Sequence, residues 1–355
     1  MRRTSMKNIS VKNIMKTRFF DARRSLSLCI SFLVLCSITR SASANLTGAG
    51  ATFPYPLYSK WFDVYKHKTG VDIVYQSIGS GAGIRVFSEG TTDFAASDRI
   101  LSPDEARRMK DDFVYLPTVA GSIAVVYNLK GVKQLKLSPQ LLSAIYLGRI
   151  TRWNDPRIAA LNPQARLPAT FITVMHRSDG NGATRTFRAY LQAASMEWKK
   201  QTSKNSNDWP VGMGGKGGDG VSSLIRQTAG AIGYVDWAYA RQNQMSIAAI
   251  RNRAGQFVSP SVASTQAALS AFVPRLQKDV RASIVDASGA ASYPICGLTY
   301  ILVRIRQKDA KKAHQLRRFL RWAMDDGQKF AARLLYAPLP EALRLKNQEI
   351  ISAIK

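Results

Sequence analysis

One local design recurs three times along this chain: an extended segment, a loop of glycine with serine, threonine or asparagine, and then the start of a helix. The copies are T-G-A-G-A-T-F-P from Thr47, G-S-G-A-G from Gly79 and R-S-D-G-N-G from Arg177. Small residues let a backbone approach another group closely, and a helix N-terminus carries unsatisfied N–H donors and a partial positive charge. Strand–loop–helix units of this kind predict α/β architecture with mostly parallel strands. They also gather the loops in a crevice at the carboxyl ends of the strands. Converging helix N-termini in such a crevice suit a tetrahedral oxyanion.

The first copy begins three residues after a small-residue cleavage site, Ala42-Ser43-Ala44. Residues 1–44 read as an export leader, with a basic n-region (Arg2, Arg3, Lys7, Lys12, Lys16, Arg18, Arg23, Arg24), an apolar run over 26–38, and a cut expected between Ala44 and Asn45. The run is too short to span a bilayer, although an uncleaved anchor is the rival reading. A lipoprotein is disfavoured because Cys29 and Cys36 each follow a bulky leucine. The leader's nine basic residues and one acid account for part of the formal charge of +28, and the remainder carries +20. So basic a chain of about 310 residues is expected to form two lobes and to meet small anions or polyanions readily. Specific nucleic-acid recognition is not expected, for want of a zinc knuckle, basic zipper or aromatic–basic motif. Beyond residue 44 the lone thiol is Cys296, read as a core residue in an apolar run. His67, His176 and His314 are scattered, so neither a disulfide nor a metal or cofactor site is expected.

Local patterns place the elements. Residues 56–69 read as a helix with Leu57, Trp61, Val64 and Tyr65 on one face, stopped by Gly70. A strand over 71–75 leads to the second glycine loop and a helix from Ile84. Another strand, around Phe94, ends at Ser97-Asp98. Ser102-Pro103-Asp104-Glu105 is a capping box opening a helix toward Met109. Residues 119–128 form a continuous apolar strand, and 173–175 a strand before the third loop, whose helix carries Phe187, Tyr190 and Leu191. Residues 310–324 read as a helix with Ala313, Leu316, Phe319, Leu320 and Ala323 inward and a basic, solvated opposite face. The run G-M-G-G-K-G-G-D-G from Gly212 fails the P-loop pattern, because glycine follows Lys216, and reads as a flexible turn before a helix at Val221. Without a G-x-S-x-G elbow, a Cys–His pair or H-E-x-x-H, the chain is not read as an enzyme.

Two charged residues sharpen the ligand. Arg177 offers a planar fork of donors to two oxyanion oxygens, and Asp179, two residues on, can hold it. Asp98 would repel an anion unless that anion brings a proton for it to accept. Phosphate does so near neutral pH and sulfate does not. The alternative is that Asp98 caps the following turn beside Arg99.

These motifs, with Y-Q-S-I-G-S-G-A-G from Tyr75, D-F-A-A-S-D from Asp93, Y-L-G-R-I-T-R-W-N-D from Tyr146, R-S-D-G-N-G-A-T from Arg177 and G-A-I-G-Y-V-D-W-A-Y-A from Gly230, span nearly the whole chain after the leader. Their order closely resembles the periplasmic phosphate-binding proteins of phosphate ABC transporters. The resemblance implies a two-lobed periplasmic-binding-protein fold of type II with two hinge crossings. The sheets would be mixed, mostly parallel, and flanked by helices. Lobe I would comprise 45–118 plus 295–355 and lobe II 119–294, with crossings near 117–120 and 293–297. It implies a periplasmic, monomeric receptor for inorganic phosphate that delivers its ligand to the membrane permease subunits of an ABC importer. Phosphate would be held by Thr52, Phe53, Ser80 and Asp98 from one lobe. Arg177, Asn181, Gly182 and Ala183 would hold it from the other, with Asp179 orienting Arg177.

Where the family usually carries serine and threonine, this chain has Asn181 and Ala183. Asn181 keeps an amide donor, but Ala183 loses a hydroxyl, worth about 10- to 150-fold in affinity if nothing replaces it. Thr184 is the candidate substitute. A receptor retuned to another oxyanion, or a basic polyanion-binding secreted or surface protein, stays open beside the phosphate reading.

Overall fold

Strand β1 (Leu46–Gly50) runs through the turn carrying Thr52 and Phe53 into helix α1 (Tyr55–Thr69). In the computed structural model, residues 45–109, 111–179, 181–202 and 208–355 are described; the expected leader and its cut between Ala44 and Asn45 lie outside them, as does Gly180. Leu57, Tyr58, Trp61, Phe62 and Tyr65 follow the three- and four-residue spacing of one helix face, and all are buried. Gly70, at φ 74°, ends α1 in the left-handed conformation and donates its N–H to the Lys66 carbonyl at 2.8 Å.

Strand β2 (Ile73–Ser77) leads to helix α2 (Ser80–Ser88), then strand β3 (Phe94–Ser97) and helix α3 (Pro103–Arg107). The helix expected from Ile84 thus begins at Ser80, four residues earlier, and takes the glycine run into its first turn. Close contact explains the composition: a Cβ on Gly83 would lie 2.2 Å from the Gly50 Cα, so α2 rests directly on the end of β1. The capping box of α3 is present in both halves, but the helix stops short of Met109.

Strand β4 (Phe113–Tyr127) is the spine of the molecule and longer than the apolar run suggested. Beyond it come strand β5 (Thr173–Arg177), helix α4 (Gly182–Ala194), strand β6 (Met213–Gly215), helix α5 (Gly217–Gln227) and strand β7 (Ala231–Asp236). Strand β8 (Cys296–Arg304) and helix α6 (Ala310–Met324) follow near the C-terminus. The principal sheet runs β2-β1-β3-β8-β4-β7-β5-β6. Its two wings are parallel, as the strand–loop–helix units predict. Its centre is antiparallel, because β4 pairs with β8 on one side and β7 on the other, and both run against it.

Along β4 the partner changes at a single step: Ser122 faces Cys296 of β8, and Ile123 faces Asp236 of β7. The Ile123 N–H donates to the Ile295 carbonyl at 2.8 Å, so the segment leading into β8 meets β4 at that step. Helix α6 packs back on α1, with Phe319 5.6 Å from Phe62 and 5.3 Å from Tyr65 between ring centres. A second aromatic cluster supports the other wing, where Phe187 stacks on Tyr234 at 4.6 Å and Tyr146 leans on Phe187 at 4.9 Å. Such pairs add about 0.5–1.5 kcal/mol each beyond their buried area. No helix among the described residues is long and apolar enough to cross a membrane.

Candidate functional site

The site lies where the carboxyl ends of β1, β2, β3 and β5 meet the helices that follow them. Thr52 is exposed in the β1–α1 turn, and Phe53 is half-buried beside it. The Phe53 ring lies over Gly121 of β4, where a Cβ would come within 2.0 Å of it, so glycine is needed there to admit the ring. Tyr336 fixes Phe53 from the other direction, donating its hydroxyl to the Phe53 carbonyl at 2.6 Å and meeting its ring edge-on at 5.2 Å.

Ser80, the first residue of α2, is buried and linked twice to Asp98. Its hydroxyl donates to Asp98 Oδ2 at 3.3 Å and accepts the Asp98 N–H at 3.1 Å. The turn after β3 is held by Ser97 instead, whose hydroxyl accepts the Arg99 N–H and donates to the Arg99 carbonyl. Arg99 itself forms a bidentate pair with Glu105. The capping alternative for Asp98 is therefore taken up by other residues. Among the described residues nothing makes a hydrogen bond of good geometry to the buried Asp98 Oδ1, although the Thr299 hydroxyl stands close to the carboxyl. Burial pushes its carboxyl up to about 7 against the pull of Thr299, Ser80 and Arg177, and the neighbouring Asp236 adds to the rise.

Across the crevice the polar groups are tied together. Arg177, buried at the end of β5, donates through Nε and Nη2 to the two carboxylate oxygens of Asp179 at 2.7 and 2.5 Å. The Gly217 N–H holds Asp179 Oδ1 at 3.0 Å. Burial works against the guanidinium charge, but Asp179 outweighs it and keeps Arg177 above its ordinary value. Asn181 caps α4, accepting the Thr184 N–H at 2.9 Å. Its amide donates to the Asp179 carbonyl at 2.7 Å and to Thr184 Oγ1 at 3.0 Å. Thr184 is also hydrogen-bonded to the Tyr234 hydroxyl at 2.6 Å, so both its partners lie within its own wing.

Phe53, Asp98, Gly182 and Ala183 line one cavity of about 10 Å³, roughly room for one water. The approach is tight, since a Cβ on Gly182 would lie 2.0 Å from the Asp98 Cβ. Ser80 joins through its bonds to Asp98, and the Arg177 charge reaches the same carboxyl. Thr52, exposed in the β1–α1 turn, does not line the cavity. Asn181 and Thr184 sit behind the loop with their side-chain groups engaged there.

Three contributors escaped the sequence reading. Asp236, at the end of β7, lines the same cavity, and burial pushes its carboxyl up to about 6, with Arg177 pulling it back. Thr186 lines it from α4. Gly217 belongs to the run read as a flexible turn; that run instead forms β6 and the first turn of α5, and it props the Arg177–Asp179 pair. Asp236 had a usable signal: like Asp98, it is an acid directly at the end of an apolar strand. No group of His, Cys, Asp and Glu among the described residues is arranged to hold a metal ion.

Comparison with known proteins identifies the family. The family described as PBP superfamily domain matches residues 37–326. The chain is 42% identical over 310 residues to the phosphate-binding protein PstS of Xylella fastidiosa (strain 9a5c), covering 86% of this chain and 85% of that one. It is 39% identical over 326 residues to PstS of Haemophilus influenzae (strain ATCC 51907 / DSM 11121 / KW20 / Rd), covering 91% and 95%. In fold it is similar to a high-affinity periplasmic phosphate-binding protein, PfluDING, solved with bound phosphate. The TM-score is 0.68 at 22% identity, over 86% of this chain and 93% of that one. The chain belongs to the PBP superfamily and, within it, to the family of PstS phosphate-binding proteins.

Proposed function

We propose that this protein is an exported receptor for inorganic phosphate that hands its ligand to the permease of an ABC importer. One observation carries the reading: a buried carboxylate oxygen without a partner, on Asp98, shares a crevice with the N-terminus of α4 and the charge of Arg177. An acceptor and a cation together call for an anion that carries a proton, which admits phosphate and excludes sulfate. Thr52, Phe53, Ser80 and Asp98 contact it from one lobe, and Arg177, Asn181, Gly182 and Ala183 from the other, with Asp179 bracing Arg177. Lobe I is taken as 45–118 plus 295–355 and lobe II as 119–294; the partner change along β4, at Ser122–Ile123, lies four residues beyond that edge. A cavity of about 10 Å³ is smaller than the anion, so loading requires the two faces to part. The named relatives are binding proteins, and the chain acts as a receptor rather than an enzyme. The leader at 1–44 sends it to the periplasm, where it works as a monomer.

Calorimetry on the chain from Asn45, with phosphate and then sulfate at two salt concentrations, tests this. One-to-one phosphate binding with weak salt dependence and no sulfate binding is expected. Binding of another oxyanion in place of phosphate would mean the Asn181–Ala183 loop has retuned the site. Polyanion binding that falls steeply with salt would favour the basic surface instead.

A further inference from the structure

The cavity beside Asp98 has a second acidic wall. Asp236 closes β7 opposite Ile123 of β4 and lines the same cavity as Phe53, Asp98, Gly182 and Ala183. It occupies the N-cap position of the helix Trp237–Gln242, yet its side chain caps no N–H of that helix. Its Oδ1, like that of Asp98, is buried with no hydrogen-bond partner. Among the described residues one cation serves both carboxyls: Arg177, two of whose donors already belong to Asp179. The remaining neighbours are uncharged phenols and hydroxyls. Tyr58, Tyr75, Ser80 and Thr299 stand by Asp98, and Tyr336 stands by both acids. A single shared guanidinium does not balance two buried negative charges, and burial holds both carboxyls above the ordinary carboxylate range.

We propose that Asp236 is a second specificity residue of the cleft, accepting one proton of dihydrogen phosphate while Asp98 accepts the other, so that the receptor takes the monoanion in preference to the dianion. This rests on the phosphate reading above. The dianion carries a single O–H, and would leave one carboxylate facing a bare phosphate oxygen with no proton between them. The complex therefore holds two protons among phosphate, Asp98 and Asp236. On the alkaline side of neutrality the free cleft and free phosphate together hold fewer, so binding takes up a proton and weakens by about tenfold per pH unit. With Asp236→Asn one acceptor remains, the dianion already brings the single proton it needs, and the alkaline loss disappears.

The test is calorimetric titration with inorganic phosphate between about pH 7 and pH 9, in two buffers of different ionisation enthalpy, so that proton uptake is read directly. The wild-type protein is expected to take up close to one proton at the alkaline end and to lose affinity there; Asp236→Asn is expected to do neither. A variant that keeps the wild-type uptake and slope would overturn the assignment. So would a wild-type protein with no uptake, a result that stands even if the variant fails to fold. Absence of phosphate binding at every pH would instead remove the phosphate reading itself.

Discussion

On the side of the cleft built by β1, β2 and β3, the decisive polar group is left open, whereas on the side of β5 and α4 almost every polar group is tied to another. Asp98 has one oxygen bound by Ser80, while the other makes no hydrogen bond of good geometry, with the Thr299 hydroxyl beside the carboxyl. Arg177, Asp179, Gly217, Asn181, Thr184 and Tyr234 form one continuous hydrogen-bonded chain. A completed network keeps its shape without a ligand, and an incomplete one is costly until a ligand completes it. Substitutions on the tied side should therefore weaken binding and fold together. Those on the open side should trade binding specificity against stability.

The largest effect is expected from Arg177→Met, which deletes the cleft's cation and strands Asp179. Loss of two charge-assisted hydrogen bonds should weaken phosphate binding by about 3 kcal/mol or more, over 100-fold by calorimetry. A loss under tenfold would show that backbone N–H groups of α4 hold the anion largely without it.

Asp98→Asn should act in the opposite sense on stability. Asp98 and Asp236 hold protons more tightly in the folded chain than in the unfolded one, so the folded state carries extra protons between about pH 4 and pH 7. The unliganded protein is then most stable at the acid end of that window, loses stability as pH rises through it, and levels off above. Removing the Asp98 charge should leave stability near pH 4 little changed and raise it near pH 8 by about 2–4 kcal/mol in urea unfolding. Phosphate-over-sulfate preference should narrow in the same variant. Equal wild-type stability at the two pH values would mean that Asp98 is not strained by its surroundings.

Smaller effects complete the comparison. Asn181→Ala removes the cap of α4 and the amide bond to the Asp179 carbonyl, and should cost about 1–2 kcal/mol of stability, measured by thermal or urea unfolding. Ser80→Ala removes both of its bonds to Asp98 and should cost about 1–2 kcal/mol in the unliganded state, no more than Asn181→Ala. If Ser80 proved the costlier of the two, the open side would be more rigid than its hydrogen bonds suggest.

Much of the frame could be read from sequence wherever the signal is local. The apolar stripe of α1, the Ser102 capping box and the bounds of α6 all follow from residues within a turn or two of each other. The glycine runs misled because their cause is distant. Gly83 is required by Gly50 across the β1–α2 contact, and Gly215 by the backbone at Val221, so both look like loop residues until the neighbour is known. The site divided in the same way. Arg177 and Asp179 are two residues apart and were paired from sequence, whereas Asp236 reaches Asp98 only through the pairing of β7 with β4. Nothing within reach of Asn181 in sequence shows that its amide would be engaged by Thr184 and the Asp179 carbonyl.

Cys296 stands opposite Ser122 at the step where β4 exchanges one partner strand for another. Its thiol is fully buried, touches the Ser122 hydroxyl and the Tyr293 carbonyl, and is pushed by burial up to about 12, so it is almost never a thiolate near neutrality. It is also the one cysteine beyond residue 44. Nature has thus left a silent chemical clock at the junction of the two wings. A small thiol reagent can reach Cys296 only from a state in which this junction has opened, so its labelling reports that opening.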